Sequence, residues 1–102
     1  MKPLLFHPDA LGELHVAPIY HYEKDRLELG DALVAELNRA LNEIAEHPQR
    51  WKRILKNIHS YGPTKKFKWR IVYVENARDV FVIAAYYSGV EDPLYWIERL
   101  AS

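Results

Sequence analysis

The chain has no cysteine, so neither a disulfide framework nor a thiolate metal site is open to it, and a reducing cytoplasm suits it. It has no run of ~18 apolar residues, the length a membrane-spanning helix requires. The apolar start Met1-Lys2-Pro3-Leu4-Leu5-Phe6 meets Pro8 and Asp9 before it reaches signal-peptide length. Neither sign of charge is in excess, with fourteen Lys and Arg against fourteen Asp and Glu, which argues against gripping nucleic acid with the whole surface. Repeats, low-complexity tracts and linkers are missing, and 102 residues suit one domain spanning 1–102. Glycine-rich phosphate loops, a serine elbow and a zinc-binding helix signature are also missing. Of the histidines His7, His15, His21, His47 and His59, only His15 and His21 are close in sequence, and a spacing of six is off-phase for one helix face. No metal and no cofactor is expected.

What is present is a core. Nearly half the residues are apolar and 13% are aromatic, enough to rule out a disordered tail. Charge is unevenly placed. From Arg50 to Arg70 the chain carries Arg50, Lys52, Arg53, Lys56, Lys65, Lys66, Lys68 and Arg70, with His59 and no acid, whereas the acids concentrate before Pro48. This predicts an acidic helical layer and a basic strand layer.

Pro3–His7 reads as a short strand, and His7-Pro8-Asp9 opens a helix with proline where its missing N–H costs nothing. Leu11, Leu14, Pro18 and Tyr22 carry helical spacing to about Leu27, with a kink at Pro18. A break is expected over Leu27-Glu28-Leu29-Gly30-Asp31, with Gly30 or Asp31 capping a second helix. Leu33, Leu37, Ala40, Leu41 and Ile44 form the stripe of that helix, and Pro48 ends it. Lys56–Tyr61 is a weaker strand. Phe67, Trp69, Ile71 and Tyr73 alternate with Lys68, Arg70, Val72 and Val74, the pattern of a strand with one face in the core. Val80–Tyr87 reads as a central strand covered on both faces. Asp92-Pro93 starts a short closing helix through Tyr95, Trp96, Ile97 and Leu100. Trp51, Trp69 and Trp96 are placed in the core at the helix–sheet junction. The fold class is a two-layer α+β fold, helices on one face of the sheet.

These pieces resemble the RelE/ParE toxin superfamily in order and spacing. Phe6-His7-Pro8-Asp9-Ala10 with Glu13-Leu14 is similar to its first helix opening, and Tyr20, Tyr22, Glu23 and Leu29-Gly30 to the end of that helix. Ile44, His47-Pro48 and Trp51 resemble its exit from the second helix. Phe67 to Tyr73 and Val80 to Ile83 resemble its strands, and Asp92-Pro93-Leu94-Tyr95-Trp96 resembles an ending found in ParE-like members. The resemblance implies an N-terminal strand and helical hairpin packed on a mainly antiparallel sheet. It also implies a growth-inhibiting, plasmid-stabilisation-like toxin neutralised by a cognate antitoxin, working as a homodimer or a toxin–antitoxin hetero-oligomer.

Two mechanisms come with that resemblance: binding a protein target such as DNA gyrase, or cutting mRNA in the ribosome. Cleavage needs a base for the 2′-OH, cations for the phosphorane and an acid for the leaving oxygen. Arg70 stands where RelE-like enzymes carry a functional arginine, and strand alternation aims it at the open sheet face beside Lys68. His59 and Tyr61 share a face of the preceding strand, and Tyr87 and Tyr95 lie near the C-terminal edge. Arg70, His59, Tyr87 and Tyr95 are therefore the catalytic candidates for a nuclease. Lys65, Lys66, Lys68, Arg70 and Tyr61 are the candidates for contact with target or antitoxin. The plainer reading gives Lys68 and Arg70 to an exposed strand face and the tyrosines to the core edge. Departures favour it: Ser88 and Gly89-Val90-Glu91 replace basic positions, and His59 and Tyr61 replace lysines. The reading is thus a ParE-like binder of a protein target, with a ribosome-dependent nuclease and an inactivated relative as alternatives.

Overall fold

The computed structural model describes residues 1–18 and 27–101, with the side chains of 27 and 101 left aside. Strand β1 (Leu4–Phe6) leads into helix α1 (Pro8–His15), capped by His7, whose Nδ1 accepts the Asp9 N–H at 3.1 Å. The helix ends with Val16 as its C-cap, two residues before Pro18, whose ring has no room over the carbonyl of Leu14. Tyr20, His21, Tyr22 and Glu23, and the helix expected to continue to Leu27, lie outside the described residues.

Helix α2 (Leu27–Glu46) corrects one expectation. It runs unbroken through Gly30 and Asp31, where a break and cap were expected. Glycine inside a helix costs about 1 kcal/mol, but Gly30 is buried and Leu29, Ala32 and Leu33 pack on the core. Tertiary burial outweighs that local penalty.

Four strands follow: β2 (Lys52–Leu55), β3 (Ile58–Tyr61), β4 (Trp69–Glu75) and β5 (Val80–Tyr87). The expected strand over Lys56–Tyr61 is really the second arm of a hairpin. Lys56 and Asn57 form its two-residue turn, with Lys56 at φ 46°. The sheet order is β1-β5-β4-β3-β2, with β1 parallel to β5 and every other pair antiparallel. A 3-10 helix (Tyr95–Ala101) closes the chain, and the Asp92 carboxylate accepts the Leu94 N–H at its entrance.

Both sheet faces are covered. Phe67, Trp69, Ile71, Tyr73, Val80 and Val82 pack against Ala10, Leu14, Leu33, Leu37 and Ile44 of the helices. Ile58, Val72, Ile83, Ala84 and Tyr86 form a second core closed by Trp96. So β4, expected to have only one face in the core, buries Val72 as fully as Tyr73. Trp96 lies on the far side of the sheet, away from the helix–sheet junction where Trp51 and Trp69 sit. The result is an α+β fold, with the helices on one face and the closing 3-10 helix on the other.

Where β1 stops, two side chains take over as partner of β5. The Ala85 N–H donates to Glu13 Oε1 at 3.2 Å, and Arg99 Nη1 donates to the Ile83 carbonyl at 2.8 Å. The Glu13 carboxylate in turn accepts both Arg99 Nη groups, at 2.8 and 3.0 Å, and the Tyr95 hydroxyl at 2.6 Å. Backbone groups that a longer β1 would have paired are thereby satisfied.

Candidate functional site

Strand register decides which candidates meet. Arg70 pairs with Tyr86, and Lys52 pairs with Ser60, which pairs with Val72. All of these point to the Trp96 side of the sheet. There, Lys52, Ile54, Ser60, Arg70, Tyr86, Pro93, Leu94 and Trp96 line a cleft of about 290 Å³. Arg70 is held by its Nη1 donating to the Gly62 carbonyl at 3.2 Å, while Tyr86 forms a buried wall. Among the described residues, no carboxylate and no imidazole lines this cleft. Its two cations suit an anion or an acidic partner.

His59 does not join Arg70. It pairs with Tyr73 across the strands, so it faces the helices on the opposite side of the sheet. Its ring stacks on that of Tyr73, with centroids 5.2 Å apart and planes at 8°. Its Nδ1 reaches the Trp51 carbonyl at 2.9 Å, and its buried Nε2 has no hydrogen-bond partner among the described residues. This is a core histidine, sealed from any ligand in the cleft.

Tyr61 shares the face of His59, as alternation requires. Its ring lies 4.6 Å from that of Trp51, and its hydroxyl donates to Glu43 at 3.2 Å. Tyr87 pairs with Trp69 and is exposed. The Tyr95 hydroxyl is committed to Glu13, and its pKa is pushed up first by burial and then by that hydrogen bond. Among the described residues, the candidate tyrosines therefore do not gather around Arg70; Tyr86, which pairs directly with it, does.

The lysines separate as well. Lys68 was placed beside Arg70 by alternation, but β4 begins at Trp69 and Lys68 sits in the preceding turn at φ 62°. The Glu36 carboxylate accepts the N–H groups of Lys66 and Phe67, which ties this turn to α2. Lys65 lines a separate hollow with Glu36, Arg39, Glu43, Trp51 and Tyr61. The basic segment is thus split between the α2 side, which carries Lys65 and Lys66, and the cleft, which carries Lys52 and Arg70. Sequence reasoning missed Lys52 and Tyr86. The Lys56-Asn57 pair between two short apolar runs was the available signal for a hairpin that would bring Lys52 across from Ser60.

The Tyr61 hydroxyl is pushed up to about 12, by burial first and by Glu43 next. Its folded value lies above the ordinary 10.0, so its contribution to stability is complete below pH 10.0 and is lost as pH rises towards about 12. Tyr73 and Tyr95, also shifted upward, add to that loss. Tyr61→Phe should shallow the fall without abolishing it, as read from denaturant midpoints taken through this range.

Among the described residues, no three His, Asp or Glu side chains are grouped closely enough to hold a metal ion, and no helix is long and apolar enough to cross a membrane. No family model matches the sequence, and no curated protein does. Among solved structures, the chain is similar to a double arginine-to-alanine mutant of the toxin RelE from E. coli in its free state. Identity is 21%, the TM-score is 0.69, and the match covers 97% of each chain. Over that length the chain has a RelE-like fold.

Proposed function

We propose that this chain is the toxin of a toxin–antitoxin pair, acting in the cytoplasm and neutralised by a cognate antitoxin. Its effector surface is the cleft of Lys52 and Arg70, and it works by binding a protein target such as DNA gyrase. One observation carries this choice. Among the described residues, the cleft pairs two cations with the apolar walls Ile54, Pro93, Leu94 and Trp96, and no imidazole or carboxylate lines it to serve as a general base. Cations set among exposed aliphatic side chains suit an acidic protein surface.

Ribosome-dependent mRNA cleavage is the second reading. It is favoured by the same two cations, which are suited to a charged phosphorane, and it leaves Tyr86 as the hydroxyl nearest to Arg70 in register.

Induced expression of the chain alone, with growth, DNA supercoiling and translation followed together, tests these readings. Growth arrest with altered supercoiling while translation continues is the expected result. Rapid translation arrest with cut mRNA would establish the nuclease instead. In that case Arg70→Ala should slow cleavage by roughly 10²–10³-fold while leaving antitoxin binding nearly intact. Growth without arrest would refute the toxin reading and leave an inactivated relative.

A further inference from the structure

We propose that the outer edge of β2 is a docking site for an acidic, extended peptide segment, which adds to the sheet as a further strand beside Lys52–Leu55. The two edges of the sheet are treated in opposite ways. Beyond β1, the edge of β5 is closed by Glu13 and Arg99, whose side chains bond its main chain, with the Tyr95 hydroxyl held on Glu13. Along β2, no hydrogen bond from outside the hairpin reaches the main chain of Lys52–Leu55 among the described residues. All four residues of the strand are exposed. An open edge of this kind pairs readily with another strand.

Charge selects the occupant. Lys52, Arg53 and Lys56 have no carboxylate partner among the described residues, and they flank Ile54 and Leu55, which are 40% and 55% exposed. Two copies of β2 set side by side would oppose like charges, which is destabilising. A strand that alternates acids with aliphatic residues reverses the sign of those contacts and covers the two aliphatic side chains. Main-chain bonds supply affinity in such an addition, and alternate side chains supply specificity.

Both faces of the added strand need acids. Lys52 lies on the cleft face opposite Ser60, and Arg53 lies on the helix face opposite His59. An acid beside Lys52 would occupy one of the cleft's two cations, so docking at the edge would also block the cleft. Naming this segment as part of the antitoxin rests on the toxin reading; the edge and its chemistry do not.

The probe is a synthetic peptide of about eight residues alternating glutamate with valine. Its lysine–valine counterpart and an N-methylated version serve as controls. The acidic peptide should bind the intact chain and protect the amides of Lys52–Leu55 from hydrogen exchange. The triple variant Lys52→Glu, Arg53→Glu and Lys56→Glu, confined to exposed positions, should bind it roughly tenfold more weakly. N-methylation should abolish binding, and the basic peptide should not bind.

Absence of binding at ~1 mM, binding that leaves 52–55 unprotected, or binding indifferent to charge reversal would overturn the proposal. Concentration-dependent self-association that protects β2 would give the edge to a second copy and overturn it too. Peptide binding at β2 in a chain that arrests no growth would uphold the docking site while removing the toxin reading.

Discussion

Gly62→Ala should destabilise the protein by on the order of 3 kcal/mol, lowering its melting temperature by roughly 12–24 °C. Gly62 follows β3 at φ 111°, a backbone conformation that L side chains rarely adopt. A Cβ there would stand 2.6 Å from the Trp69 carbonyl oxygen and 3.2 Å from the Thr64 nitrogen. Both neighbours are main chain, and they are bonded to each other, with the Thr64 N–H donating to that same carbonyl at 2.8 Å. Relief therefore has to come from the loop or from the start of β4. The Gly62 carbonyl also holds Arg70, so the variant should disturb the cleft beyond its loss of stability. Gly12→Ala is the internal control. Among the described residues, a Cβ at Gly12 meets nothing within 4 Å, and alanine is the better helix former, so this variant should gain up to about 1 kcal/mol. Thermal melts of the two variants side by side check both signs. A Gly62→Ala protein that melts with wild type would mean the loop has another conformation.

Glu13→Ala should cost about 3 kcal/mol, because the carboxylate does several jobs at once. It accepts the Ala85 N–H at the uncovered edge of β5, it pairs with Arg99, and it takes the Tyr95 hydroxyl. The Arg99 and Glu13 side chains are only 15% and 21% exposed, so removing the acid leaves a poorly solvated guanidinium and an unpaired backbone donor. Glu13→Gln keeps an acceptor for Ala85 and should fall between the two. A spectroscopic readout separates this network from generic packing loss. Glu13 raises the Tyr95 pKa through its hydrogen bond and its charge, so in Glu13→Ala the Tyr95 phenolate should form at lower pH than in the wild type. Amide exchange at Ala85 should quicken in the same variant. An unchanged Tyr95 titration would show that Glu13 does not hold the closing 3-10 helix.

How much of this could be read beforehand follows from how far each signal reaches along the chain. The His7-Pro8-Asp9 opening is a local device: imidazole, proline and the next amide are adjacent, and the cap forms from them alone. The stripe Leu33, Leu37, Ala40, Leu41 and Ile44 repeats at helical period, and it is the buried face of α2. Trp69, Ile71 and Tyr73 alternate within β4 and meet the helices together, joined there by Phe67 from the turn before it. The misjudged places are those where a neighbour far away in sequence overrides a local preference. Gly30 reads as a breaker but is carried within α2 by burial, and Val72 reads as an outward residue until Trp96 covers it.

The candidate site was the less legible part. Arg70 was found because one strand's alternation suffices to place it opposite Trp69 and Ile71. Its companions were not found, because parity within a strand says nothing about parity between strands. That depends on register, where a shift of one residue exchanges the two faces. The register brings Tyr73 beside His59 and Ser60 beside Lys52, with irregularities between Val72 and Tyr73 and between Arg53 and Leu55. By itself, then, the sequence determined the identity and order of most elements and the helix-facing core, since period and capping act within a few residues. Only the tertiary structure decided that His59 is buried against Tyr73 and that Lys52 and Tyr86 stand with Arg70. It alone also left β2 as the open edge, because strand pairing is a choice among partners distant in the chain.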